Sequence, residues 1–154
     1  MSMKGYRYTE SGLDNVIVQG VNFLTDDAGE QVVTIPNIDG LHRAIAAAIV
    51  MKPTNLTGKE LRFLRTEMGL TQAELAAIVH REPLAMSRWE RGEVELIDTN
   101  AETLIRLHAR EVLHLDVDAS VKEIAGWSVP KAITPQLVID GSDTSNYQPL
   151  RPAA

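Results

Sequence analysis

The sequence contains no cysteine. Disulfides, thiol catalysis and cysteine-ligated zinc are thereby excluded, and stability has to come from packing. Long apolar runs are missing too. No window approaches the 18 uninterrupted apolar residues of a membrane span, and the opening MSMKGYRYTE lacks the apolar centre of a signal peptide, so a cytoplasmic protein without a membrane partner is expected. Catalytic signatures are equally absent. His42, His80, His108 and His114 include no i, i+4 pair that would set two metal ligands on one helical face, and the carboxylates follow no motif. There is no P-loop, no dinucleotide-binding fingerprint and no nucleophile elbow. The expectation is therefore no enzyme, no cofactor and no metal site. What is present is 44% hydrophobic residues over 154 positions, enough for one ordinary domain or two small ones with real cores.

A basic surplus is also lacking, since the formal net charge is −6. Its distribution is uneven. Lys and Arg against Asp and Glu number 4 to 6 over residues 1–56, 6 to 5 over 57–92, and 5 to 10 over 93–154. Only the middle segment escapes net negative charge, and nucleic-acid contact needs basic groups facing phosphate.

That middle segment carries the tightest local rules in the chain. Thr71 precedes an apolar-periodic run and Glu74 follows three residues later, a capping box that starts a helix at Gln72. Leu75, Ala76 and Val79 form its apolar face. The pattern breaks at His80-Arg81, and a second start follows, with Glu82 at the N-cap and Pro83 at N1, where a missing N–H costs nothing. Met86 and Trp89 lie on the inner face of this second helix. Leu84, Ala85 and Arg88 point outward, and Gly92 stops the helix.

Two short helices joined by a tight turn resemble the helix-turn-helix of the Xre (lambda-repressor-like) regulators, whose core commonly reads TQxELAxxLGVSxxTISRWExG. Thr71, Gln72, Glu74, Leu75, Ala76, Ser87, Arg88, Trp89, Glu90 and Gly92 match without a gap, while His80 replaces the turn glycine and Arg81 the small apolar residue after it. The resemblance implies that Leu75, Ala76, Val79, Met86 and Trp89 form the motif's core and that positions 83, 84, 85 and 88 face base edges in the major groove. Among these, Arg88 alone can hydrogen-bond. A bidentate contact to guanine discriminates by about 1 to 3 kcal/mol, and the alternatives for Arg88 are a phosphate contact or a surface salt bridge. Leu84 and Ala85 face thymine methyls in this reading, or neighbouring helices in the other. Gln72, Arg81 and Arg91 are the expected DNA backbone contacts. Glu90 is expected to bridge to Arg62 or Arg65.

The remaining segments give an α+β expectation. Residues 4–35 read as short strands, with Tyr6 and Tyr8, Val16 and Val18, and the β-branched run Gln31 to Ile35. Asp39 is expected to cap a helix over 40–51 striped by Leu41, Ile45, Ala48 and Ile49, and Lys52-Pro53-Thr54-Asn55 reads as a linker. A second capping box, Thr57 with Glu60, opens a helix over 58–68 with Leu61, Leu64 and Met68 inward. Asn100 is expected to cap a helix over 101–115 with Leu104, Leu107, Val112 and Leu115 on one face, and 119–127 a shorter one. The proline-bearing segment from Pro130 reads as an extended or disordered tail. Three parts result: a metal-free N-terminal module at 1–53, an all-α five-helix Xre-type domain at 54–129, and the tail at 130–154.

YRYTESGLDNV at 6–16 and LTGKELRFLR at 56–65 are similar to the MqsA/YgiT group, in which a zinc-binding N-terminal module precedes an Xre domain. The zinc-ligand CxxC pairs are absent here. The two resemblances imply a DNA-binding transcriptional repressor acting as a homodimer on a palindromic operator of double-stranded DNA. The alternative they imply is an antitoxin that neutralises a toxin protein through residues 1–50 and represses its own operon.

Overall fold

A computed structural model describes residues 5–94 and 96–150. Residues 1–4, 95 and 151–154, where the expected module begins and the expected tail ends, lie outside the described residues. Apolar alternation builds the sheet. Val16 and Val18 point the same way along β2 (Val16–Gln19) and are fully buried. β1 (Gly5–Arg7) runs antiparallel to β2, with Tyr6 opposite Val18. A separate two-stranded hairpin follows, β3 (Phe23–Thr25) with β4 (Gln31–Val33), its turn held by the Asp26 carboxylate, which accepts from the amides of Ala28 and Glu30.

Six helices come next, and the molecule is α+β with a small mixed sheet. α1 (Ile38–Val50) is buried from Ala44 through Val50, and it packs against the sheet, α2 and α5. Its cap is Asn37, in a left-handed conformation with φ 57°, and not the expected Asp39: the Asn37 side chain accepts from the Gly40 amide, and Asp39 already lies inside the first turn. α2 (Gly58–Glu67) and α3 (Gln72–Ile78) each begin with a complete capping box, on Thr57 with Glu60 and Thr71 with Glu74. α4 (Pro83–Glu90) starts with proline at its first turn. α5 (Thr99–Val112) is capped by Asp98, which accepts from the Ala101 amide; the expected Asn100 falls one position inside the helix. α6 (Val121–Trp127) has a capping box of its own, Ser120 with Glu123.

The described residues beyond Pro130 do not form a loose tail. β5 (Leu137–Asp140) runs parallel to β2, placing Leu137 beside Val16 and Ile139 beside Val18, and β6 (Gln148–Leu150) pairs antiparallel with β5. The four-stranded order is β1-β2-β5-β6. Two strands far apart in sequence thus complete one apolar face, which covers α1. Leu137 and Ile139 are buried to the same degree as the β2 valines, and a single apolar cluster runs from Tyr8 through α1 and the helices to Tyr147. No break in the core falls at 53/54 or at 129/130.

The expected linker is also part of the interior. Lys52, Thr54 and Leu56 are all buried, because a polar network takes up the main chain there. Arg106, fully buried on α5, donates to the carbonyls of Val50, Lys52 and Thr54 and to the carboxylate of Glu102. Glu102 in turn accepts from the Leu56 amide at 2.8 Å. Lys52 pairs with Glu60 at 2.6 Å, and Asn15 donates to the same carboxylate. The carbonyls of Val50, Lys52 and Thr54 and the amide of Leu56, which a linker would leave to water, thereby find partners inside the protein. Burial pushes the Glu102 carboxyl above its ordinary pKa, and the adjacent Arg106 charge opposes that rise. A second polar relay links the sheet to the helices: Tyr8 and Glu67 flank the His42 ring on either nitrogen, at 2.9 and 3.0 Å.

Candidate nucleic-acid interface

α3 and α4 are built by their own caps and joined at His80, whose φ of 57° lets the chain reverse within two residues. The His80 amide donates to the Ala77 carbonyl and the Arg81 amide to that of Ala76, which closes the end of α3. Leu75, Ala76, Val79, Met86 and Trp89 are all buried, with Leu75, Ala76 and Met86 fully so. These side chains meet between the two helices and α2, and they leave the N-terminal half of α4 outside. Pro83, Leu84 and Arg88 are exposed, Leu84 to 54%, and Ala85 is half-buried.

A carboxylate hub fixes the angle between the helices. Glu90, at the end of α4, accepts two hydrogen bonds from Arg65, at 2.6 and 2.9 Å, and one from the Gln72 carboxamide at 3.2 Å. Arg65 also donates to the Leu70 carbonyl just before α3. Of the two arginines expected for Glu90 it is Arg65, on α2, and the bond to Glu90 holds the guanidinium above its ordinary pKa. Paired forks of this kind set geometry as well as charge. Gly58 brings α2 still nearer: a Cβ there would stand 2.3 Å from the Trp89 carbonyl oxygen and 2.6 Å from that of Glu90. Only a residue without a side chain fits.

The basic groups divide into engaged and open. Arg81 pairs with Asp98 at 3.2 Å and Arg91 with Glu93 at 3.1 Å. The Arg88 carbonyl accepts from the Glu93 amide, but its guanidinium has no hydrogen bond or ion pair among the described residues. No family model, curated protein or solved structure matches the chain. Among the described residues there is also no group of three or more His, Asp or Glu that could hold a metal ion, and no helix is long and apolar enough to cross a membrane.

α5 divides its residues between two sides. Its inward face is Ala101, Ile105 and Ala109 with the Glu102–Arg106 pair, whereas Leu104 is 45% and Val112 41% exposed. Leu107 is half-buried and only Leu115, beyond the helix, is interior. The apolar face expected at these positions is thus mostly an outer stripe, and the interior side of α5 is made of Ile105, the small alanines and the Glu102–Arg106 pair. Gly58 and Arg106 were the site-shaping residues that pattern reading missed. Arg106 had a signal, being four residues after Glu102 and on the same side as Ile105 and Ala109; Gly58 had none beyond its place at a helix start.

Proposed function

We propose that the chain is a sequence-specific DNA-binding regulator of the Xre type, with α4 as the helix that enters the major groove and with repression of a promoter as its consequence. The observation that supports the reading most is Arg88: an exposed guanidinium without a partner among the described residues, on a helix whose opposite side is clamped by Met86, Trp89 and the Glu90 hub. Such an arginine is held ready to grip a guanine edge, with Leu84 and Ala85 beside it against thymine methyls. Gln72 and the first amides of α3 face the backbone, the carboxamide oxygen being left over once its nitrogen serves Glu90. Arg81 and Arg91 contribute phosphate contacts by exchanging partners. Their present ion pairs are surface pairs worth roughly 0 to 1 kcal/mol, a small cost against a phosphate.

The outer stripe of α5 supports a homodimer. Leu104, Leu107 and Val112 lie along one side, and a two-fold pairing of α5 would cover them while presenting two copies of α4 to successive major grooves. Selection of bound duplexes from a random pool tests the whole reading. The expected product is a two-fold symmetric sequence with half-sites about one helical turn, roughly 34 Å, apart; recovery of a random pool without enrichment contradicts it.

A second reading, neutralisation of a partner protein in the manner of an antitoxin, draws on the charge of the N-terminal residues. Between residues 8 and 42 there are six acidic side chains, at positions 10, 14, 26, 27, 30 and 39, and no lysine or arginine. That surface repels phosphate and suits a basic protein.

A further inference from the structure

The β3–β4 hairpin is thinly covered. Its strands have three residues each, they form a sheet of their own, and none of residues 22–34 is buried. Two-stranded hairpins of this length are marginal in water unless a third layer covers one face. Leu24 and Val32 are direct cross-strand partners and share a face, 61% and 41% exposed. At the root of the hairpin lies a groove of about 480 Å³, walled by Val21, Phe23 and Leu24 on one side and by Pro36, Gly141 and Tyr147 on the other. Phe23, in the groove wall, anchors the strand: Tyr6 meets it edge-on at 6.5 Å between ring centroids. The hairpin is thus fixed at its base and open along one apolar face.

We propose that this face, with the groove at its root, is the docking surface for a basic protein segment that carries apolar side chains. The inference rests on the second reading above and not on DNA contact. Charge selects the occupant. Asp27 and Glu30 at the hairpin tip are exposed and have no ion pair among the described residues, and Asp26 beside them adds a third carboxylate; of the acidic residues at 8–42, Asp14, away from the hairpin, is paired with Lys59. Duplex DNA is repelled by such a surface. Two hairpins of separate copies would bring like charges together, which costs contact free energy in proportion to their closeness. A partner with lysines or arginines around an apolar stripe satisfies both features. Its apolar side chains cover Leu24 and Val32, one of them seats in the groove, and its charges face Asp27 and Glu30.

The test is an amide-resolved NMR titration of the full chain with a synthetic peptide of alternating lysine and valine, and with its glutamate–valine counterpart. Saturable shifts confined to residues 20–36 and 141–147 are expected with the lysine peptide alone. Two variants separate the contributions: Leu24→Ser with Val32→Ser keeps every charge, and Asp27→Asn with Glu30→Gln keeps the apolar face. Each should weaken the peptide by about tenfold, the scale of an interface residue whose truncation matters, and both should retain the parental spectrum over 57–92 and the parental DNA affinity. The proposal is overturned if shifts spread over the acidic residues of 93–143, or if the serine variant binds the peptide as well as the parent. Concentration-dependent shifts at the hairpin without any peptide would assign the face to a second copy and overturn it as well. DNA affinity, measured in parallel, keeps the failure of this surface distinct from the failure of the α4 reading.

Discussion

Single residues set both the strain and the readout of the α3–α4 unit. His80 holds a left-handed φ of 57° where a glycine would sit without penalty. His80→Gly should therefore raise stability by about 0.5 to 1 kcal/mol, less the extra freedom glycine gives the unfolded chain, and urea unfolding at constant slope measures it. A lower midpoint would show that the imidazole makes a compensating contact. Gly58 responds in the opposite sense. The Cβ of Gly58→Ala collides with the Trp89 and Glu90 carbonyls, so α2 and α4 must separate, at a cost of about 1 to 3 kcal/mol in an overpacked contact.

The elements are held by caps and by one buried guanidinium. Asp98 caps α5 and pairs with Arg81, and the hydrogen bond from the Ala101 amide holds its carboxyl below the ordinary range. A depressed folded pKa gives stability that is complete above the unfolded value, near about 3.9, and is lost as the pH falls through the folded value. Asp98→Asn should flatten that part of the acid-unfolding curve, and Asp98→Ala should also cost about 1 kcal/mol at neutral pH through the lost cap. Arg106 carries more. Arg106→Ala strips partners from three carbonyls of residues 50–54 and leaves Glu102 a buried, unpaired carboxylate, a change on the order of 3 to 5 kcal/mol. Adding Glu102→Leu to that variant should recover part of the loss in denaturant titration; no recovery would mean that the main chain, and not the carboxylate, dominates the penalty.

At the scale of the whole molecule, the helices were legible because each announces itself within a few residues. Capping boxes at Thr57 and Thr71, proline at Pro83 and apolar spacing at 75, 76, 79, 86 and 89 are local signals, and α2, α3 and α4 follow them closely. The sheet was only half legible. β2 showed its alternation, but its parallel neighbour β5 lies beyond all six helices, and the run Leu137-Val138-Ile139-Asp140, bounded by Pro135 and Gly141, was too short to stand out from a proline-bearing end. Arg106 and Glu102 did not stand out because charged residues are usually placed outside; their i, i+4 pairing inside the core depends on the chain at 50–56 folding over them. Of the proposed interface, the burial of the motif core and the exposure of Leu84 and Arg88 could be foreseen, whereas the occupation of Arg81 by Asp98 and of Arg91 by Glu93 could not, since both pairs depend on how the loop after α4 returns.

Base reading by Arg88 is the claim on which the functional account turns, and the most direct measurement compares Arg88→Ala with the parent on a selected operator and on scrambled DNA at one salt concentration. The account predicts a loss of about 1 to 3 kcal/mol on the operator with little change on scrambled DNA. Gln72→Ala, by contrast, should weaken both nearly equally. Equal losses on the two duplexes for Arg88→Ala would make its guanidinium a phosphate contact and contradict the account.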